Sequence, residues 1–130
     1  METTEKVSVN MNIATISQID LLVDEGYFSN RSDFINQAVR QVLDQKTPII
    51  EHVRQRQSGQ DAPWFIGIFA PSEEDFLKAK ERQTKMRISG YGLLVIRDVP
   101  DELVIETVER ISVKGKVLCS DAVKAHFSIR

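Results

Sequence analysis

The stretch from Lys6 to Asn12 constrains the fold of this chain most, because its polar and apolar residues alternate strictly. Successive side chains of a β-strand point to opposite faces, so the two kinds of residue separate. The apolar face holds Val7, Val9 and Met11. The polar face holds Lys6, Ser8 and Asn10. A lone strand cannot bury its apolar face, so we expect it to pair with the same strand of a second chain, antiparallel across a two-fold axis.

A two-stranded ribbon of this kind fits the major groove of B-DNA, where side chains can contact the edges of bases. Lysine can reach guanine acceptors, asparagine can bond adenine through two hydrogen bonds, and serine can contact several bases. The pattern therefore makes Lys6, Ser8 and Asn10 candidate base contacts. A second interpretation stays open on alternation alone, in which these residues are the solvated face of a half-buried strand.

Two helix-patterned segments follow the strand. The first runs from about Ile13 to Glu25, with Asn12 as its cap, or alternatively Thr15 and Gln18 as a capping box, and Gly26 as its exit. Its apolar residues recur at helical spacing: Ile16, Ile19, Leu22 and Val23.

The second segment begins at Asn30, and Asp33 stands where a capping-box acid reaches back to the helix start. Its apolar stripe consists of Ile35, Ala38, Val39, Val42 and Leu43, with Phe34 beside it. One strand and two helices in some forty residues leave too little core for a monomer. We therefore expect a dimer whose apolar stripes interlock.

The segment from Glu5 to about Gln45 resembles the ribbon-helix-helix fold of the Arc, MetJ and CopG class of bacterial and archaeal repressors and antitoxins. The most specific part of the likeness is the turn and helix GYFSNRSDFINQAV, similar to the G-Y-x-N-R-S-E-A-I segment of nickel-responsive regulators in that class. In that fold the strand contacts bases and the start of the second helix binds phosphate. The resemblance implies base contacts by Lys6, Ser8 and Asn10 and phosphate contacts by Asn30, Arg31 and Ser32.

The charge balance runs against a simple electrostatic mode of DNA binding. The net charge is −2, and residues 1–60 hold six Lys or Arg against eight Asp or Glu. Glu2 and Glu5 make the N-terminal arm acidic. Affinity must then rest on a few well-placed contacts that dimerisation doubles and on helix N-termini, which bind phosphate without formal charge. Arg54 and Arg56 are interpreted as ordinary linker charges, with DNA contact as the alternative.

Several other classes of protein are disfavoured. The sequence contains no apolar run long enough for a membrane span, and its start lacks the pattern of a secretory signal, so we expect a cytoplasmic protein without membrane contact. Cys119, His52 and His126 are too scattered to suggest a metal site, and we expect no cofactor. Asp98, Asp101 and Glu102 form an acidic cluster without a suitably placed base, so we do not expect an enzyme.

The polar stretch QRQSGQDAP predicts a boundary between two regions. We assign 1–46 to the ribbon-helix-helix domain, 47–63 to a linker or helix extension, and 64–130 to a small α/β domain for an effector or for oligomerisation. The run WFIGIF from Trp64 predicts a buried strand, with a contact patch for a partner as the alternative. A charged helix with a weak apolar face is then predicted from Ser72 to about Met86.

A short internal repeat marks the last part of the chain. RISGYGLLVIRD from Arg87 aligns with RISVKGKVLCSD from Arg110 at a period of 23 residues. A helix-like segment follows each copy, PDELVIETVE after the first and DAVKAHF after the second, which predicts two strand-helix units. Two units are too few to close a core, so we expect completion by the WFIGIF segment or by another chain.

The predicted fold class is therefore α+β, with an intertwined ribbon-helix-helix dimer followed by a strand-helix repeat region. Two functions remain open. The first is a homodimeric DNA-binding regulator whose second region senses a ligand or builds higher oligomers. Its expected partners are double-stranded DNA and a second copy of the chain. The second is an antitoxin whose C-terminal region binds a protein toxin. Antitoxin tails are usually disordered until bound, and the periodic strands here favour the regulator.

Overall fold

The computed structural model describes residues 4–129. Along them lie α1 (Ile13–Asp24), α2 (Arg31–Gln57), β1 (Trp64–Phe69), α3 (Glu73–Glu81), β2 (Met86–Val95), α4 (Asp101–Thr107), β3 (Val108–Leu118) and α5 (Asp121–Phe127). The chain divides into two compact units, Met1–Pro48 and Ile49–Arg130. The structure confirms that the chain combines helices with a sheet.

Helix α1 begins and ends where local signals place it. The side chain of Asn12 accepts a hydrogen bond from the Ala14 amide at 2.8 Å and so caps the first turn, as predicted. At the other end Gly26 takes a φ of 86°, and the amides of Gly26 and Tyr27 donate to the carbonyls of Val23 and Leu22. This pair of bonds satisfies the last carbonyls of the helix and turns the chain toward α2.

Helix α2 runs on to Gln57, so residues 47–57 form the helix extension that was one of the two alternatives for this segment. It continues through Pro48, although proline removes one backbone donor and crowds the preceding turn. The helix therefore includes Arg54, whose guanidinium lies 5.4 Å from the centre of the Trp64 ring. Arg54 also pairs with Glu51 at 3.6 Å, so this residue belongs to an ordered helix and not to a flexible linker.

The second unit is a three-stranded parallel sheet in the order β1-β2-β3, with a helix after each strand. The helices pack on one face of the sheet, where Phe76, Leu94, Val104 and Val123 are at most 1% exposed. Only Phe76 and Ala79 of α3 are buried in this core, which agrees with the weak apolar face predicted for the helix.

The two segments of the proposed repeat lie side by side in the sheet. Arg87 pairs with Arg110, Ser89 with Ser112 and Gly92 with Gly115, each at a separation of 23 residues. Strand β1 is the WFIGIF segment, and it pairs with β2 in parallel and adds Gly67 opposite Gly92. The predicted strand is present, but its predicted burial was wrong, because only Phe65 of its six residues is buried. A row of three glycines therefore crosses the sheet, and all three have left-handed backbone angles.

Two predicted helix ends in the second unit were wrong. Helix α3 stops at Glu81 and not near Met86, because Gln83 turns left-handed with a φ of 56° and Met86 already lies in β2. Helix α4 stops at Thr107 and not at Glu109. Val108 takes an extended conformation and begins β3, so the repeat strand starts before Arg110.

Candidate nucleic-acid interface

The arm that precedes α1 carries the candidate base contacts. Residues 4–12 form neither helix nor strand in the single chain, so the strand predicted for Lys6–Asn12 is not formed. The physical reason is that a strand is defined by hydrogen bonds to a neighbouring strand, and the sheet of the second unit does not include the arm. Glu2 lies outside the described residues.

Both faces of the arm are exposed. Val7 and Val9 are 77% and 71% exposed, and Met11 is 40% exposed. Lys6, Ser8 and Asn10 are exposed as well. Burying a valine side chain stabilises a fold by about 1.5–3 kcal/mol. The single chain leaves the apolar residues of the arm exposed and therefore lacks this stabilisation.

The start of α2 is held by a reciprocal pair of side chains. Asn30 accepts a hydrogen bond from the Asp33 amide at 2.8 Å, and Asp33 accepts one from the Ser29 amide at 3.0 Å. Gln37 donates to the other oxygen of Asp33 at 3.0 Å. The bond from Ser29, followed by that from Gln37, lowers the pKa of Asp33. The predicted capping role of Asn30 and Asp33 is confirmed, and the first turn has one fixed geometry.

Arg31, a candidate phosphate contact, is already engaged within the chain. Its Nε and Nη2 atoms donate to the two carboxylate oxygens of Asp20 on α1, at 2.8 and 2.9 Å. These hydrogen bonds lower the pKa of Asp20 and raise that of Arg31. The pair fixes the guanidinium between the two helices and offsets its charge. Sequence reasoning missed Asp20, because nothing local connects positions eleven residues apart.

Ser32 stands next to this pair on an exposed first turn. Among the described residues its hydroxyl takes part in no hydrogen bond of the helix start, whereas Asn30 and Arg31 both do. The backbone amides of Arg31 and Ser32 lack an acceptor within the helix by the geometry of any first turn. Two amides, one hydroxyl and the positive end of the helix dipole thus belong to the same exposed first turn, and groups of this kind bind phosphate at helix starts.

The first unit leaves much of its apolar surface uncovered. The predicted apolar stripe of α1 is partly or fully buried, and its Ile19 is only 3% exposed. On α2, by contrast, Val39, Val42 and Leu43 are each about half exposed. A groove of about 530 Å³ lies along the same helix, with Phe28 and Phe34 in edge-to-face contact at 4.9 Å among its walls.

A few polar and titratable side chains of the second unit meet at the starts of α4 and α5. Asp101 accepts a hydrogen bond from the Ser120 hydroxyl at 2.6 Å, which joins the start of α4 to that of α5. Burial raises the pKa of the Cys119 thiol, which favours the less reactive protonated form. Within residues 4–129 no three His, Cys, Asp or Glu side chains are grouped as metal ligands. No helix in that range is both long and apolar enough to span a bilayer.

Comparison with known proteins identifies the family. No curated protein and no solved structure matches the chain. The profile of the Ribbon-Helix-Helix transcriptional regulator family matches residues 2–124, so it covers both compact units and not only the third of the chain that carries the sequence resemblance. This chain therefore belongs to the Ribbon-Helix-Helix transcriptional regulator family, whose members bind DNA.

Proposed function

We propose that this protein is a homodimeric, sequence-specific transcriptional repressor whose N-terminal arms pair as an antiparallel ribbon in the major groove. The observation that carries the proposal is the arm itself, with Val7 and Val9 about three-quarters exposed and polar residues alternating with them. Pairing two arms buries the valines in the ribbon's inner face and turns Lys6, Ser8 and Asn10 toward the bases.

The exposed side of α2 supports a second copy as the partner. Val39, Val42 and Leu43 lie on one helix face and each is about half exposed in the single chain. A dimer that covers this face together with the arm completes the core of the first unit. The dimer is then the folding unit, and its stability depends on concentration.

The start of α2 supplies the contact with the DNA backbone in this proposal. The capped turn presents the amides of Arg31 and Ser32 and the Ser32 hydroxyl to a phosphate. Arg31 forms an ion pair with Asp20, whose negative charge weakens the attraction of the guanidinium for a phosphate. The proposed phosphate site therefore depends more on the helix start than on the guanidinium.

A regulator is favoured over an antitoxin by the second unit. Residues 49–130 bury a core of their own, which includes Phe76 and Val104 at 0% exposure. A tail that folds only when it wraps a toxin would lack such a core. In this proposal the second unit is an effector or oligomerisation domain.

Two adjacent substitutions on opposite faces of the arm test the proposal. Val9→Asp places a charge in the ribbon interior and should yield monomers that have lost native helicity, as measured by sedimentation and circular dichroism. Ser8→Asp adds the same charge on the polar face. It should leave the dimer intact and abolish binding to duplex DNA from the region upstream of the protein's own gene. If Val9→Asp remains a folded dimer, the arms do not form the ribbon.

A further inference from the structure

The sheet of the second unit has one covered and one open face. Phe65, Ile88 and Val117 pack under the helices, so their neighbours in each strand point the other way. On that open face Ile66, Ile68 and Tyr91 are about half exposed, at 48%, 51% and 52%. Parallel sheets usually have both faces covered, so this face is suited to a partner.

The charges of this unit are segregated between its two layers. The three strands contain one carboxylate, Glu109, and four cations, namely Arg87, Arg110, Lys114 and Lys116. The helices α3, α4 and α5 hold mainly carboxylates: Glu73, Glu74, Asp75, Glu81, Asp101, Glu102, Glu106 and Asp121. A layer of positive charge therefore lies opposite a layer of negative charge.

The cations of the two layers also differ in their pairing. In the helix layer Lys78 lies 3.6 Å from Glu74, and Lys80 lies 3.4 Å from Glu106. Among the ion pairs formed by residues 4–129, none involves the four strand cations, and all four are exposed. The register places Lys114 opposite Tyr91 and Ser112 opposite Ser89, so hydroxyl groups accompany the charges.

We propose that the open face of this sheet is a second, sequence-independent contact with duplex DNA, in which Arg110, Lys114 and Lys116 bind backbone phosphates. The inference rests on the DNA binding proposed above. Unpaired cations with serine and tyrosine hydroxyls are the groups that hold phosphates without reading sequence. The first unit is acidic overall, with Lys6, Arg31, Arg40 and Lys46 outnumbered by its carboxylates. Cations elsewhere in the chain therefore add electrostatic attraction that the first unit supplies only weakly.

A second copy is a poorer occupant for this face. If two copies packed face to face through this surface, the unpaired cations of both copies would be brought together. The strands of each copy contain only one carboxylate, Glu109, to offset them. Like charges in a desolvated contact are unfavourable, whereas a polyanion gains from every one of these groups. Charge complementarity therefore selects nucleic acid.

The test compares two double variants of the full chain that lose the same charge. Lys114→Gln with Lys116→Gln removes cations of the open face, and Lys78→Gln with Lys80→Gln removes paired cations of the helix layer. Each is titrated with salt on a short random-sequence duplex. The sheet variant should reduce the slope of log affinity against log salt by roughly two units per subunit, since each phosphate contact contributes about 0.9. The helix variant should match the wild type.

The possible outcomes separate this inference from the proposed function. Equal slopes for both variants, with duplex still bound, would overturn the open-face contact and leave the ribbon in place. Failure of the wild type to bind any duplex at low salt would overturn both. A changed sedimentation mass of the sheet variant with an unchanged slope would instead assign the face to a second copy. If only binding to anionic lipid vesicles changed, the face would be a membrane contact. Arg110→Gln repeats the test should the double variant misfold.

Discussion

Arg31, in the first turn of α2, donates two parallel hydrogen bonds to the carboxylate of Asp20 on α1. The pair joins the helices on either side of the Gly26 turn. It also holds the one charged residue of the candidate phosphate site in a fixed position. The same guanidinium therefore has a structural role inside the chain and a proposed role toward DNA, and these can be separated by experiment.

The first prediction concerns acid stability. The hydrogen bonds from Arg31 lower the pKa of Asp20 below its ordinary value of 3.8 in the folded state. A carboxyl group of this kind stabilises the fold at a pH above the unfolded value, and the contribution is lost as the pH falls through the folded value. Asp20→Asn should therefore be less stable than the wild type near neutral pH, and the difference should disappear on acidification.

Urea unfolding of both proteins, at equal concentration and over a series of pH values from about 7 to about 3, measures this difference. The pKa of Asp33 is also lowered, but Asp33 is present in both proteins and cancels in the comparison. A stability difference that stays constant down to the lowest pH would show that the Asp20 carboxylate is not stabilised by Arg31.

The second prediction concerns the row of glycines across the sheet. Gly67 and Gly92 both have left-handed backbone angles, with φ of 105° and 125°. A Cβ on Gly92 would overlap the carbonyl oxygen of Gly67, whereas a Cβ on Gly67 meets nothing within 4 Å. Gly67→Ala should cost about 1–2 kcal/mol of backbone strain. Gly92→Ala should cost roughly 1–3 kcal/mol more, because the strands must also move apart.

Thermal and denaturant unfolding of the two alanine variants give this comparison directly. Both variants replace glycine by alanine at a left-handed backbone position. The difference between their free energies of unfolding therefore measures the cost of the clash between the strands at Gly92. Equal losses of stability would mean that the sheet accommodates a methyl group at Gly92 and that strain alone determines the cost.

The third prediction concerns two threonines of the second unit whose hydroxyl groups are buried. The Thr84 hydroxyl is buried without a hydrogen-bond partner within the described part of the chain. The Thr107 hydroxyl donates to the Leu103 carbonyl at 2.6 Å. Valine keeps the shape of threonine, so Thr84→Val should be neutral or stabilise by about 1 kcal/mol, and Thr107→Val should destabilise by about 0.5–1.5 kcal/mol. Equal effects in urea unfolding would contradict the assignment of Thr84 as unpaired.

The sequence was sufficient for features set by neighbouring residues. The cap at Asn12 and the cap of Asn30 with Asp33 depend on side chains within four positions of the bonds they make, and the exit depends on the left-handed conformation of Gly26. The WFIGIF strand and the 23-residue repeat were also visible in the sequence, but the parallel pairing of the two repeat segments was not predicted. Local chemistry is sufficient to fix the two caps and the helix exit, because the groups that form them are close in sequence.

Features set by distant residues or by a partner could not be predicted. The end of α3 depends on Gln83 taking a left-handed conformation, for which glycine or asparagine would be the usual sign. The Asp20–Arg31 pair joins two helices, and only their packing brings it together. The arm is a strand only in the presence of a second strand, so its pattern is visible in the sequence while its structure is absent from the single chain.

The last prediction separates base contacts from phosphate contacts by the way each variant fails. Asn10→Ala should lose roughly 1–3 kcal/mol on the operator and leave binding to random duplex nearly unchanged, because only a base contact distinguishes sequences. Ser32→Ala should weaken operator and random duplex equally, by about 0.5–1.5 kcal/mol, and should not alter the salt slope, since a neutral hydroxyl neutralises no phosphate.

Asn30→Ala is the matched control for folding in this experiment. It removes the acceptor for the Asp33 amide and should destabilise α2 by about 1 kcal/mol, whereas Ser32→Ala should change stability by less than about 0.5 kcal/mol. A loss of DNA binding in Ser32→Ala at unchanged stability therefore reports on the phosphate and not on the helix. If Asn10→Ala and Ser32→Ala show the same uniform loss, DNA binding stands but the ribbon does not read the sequence.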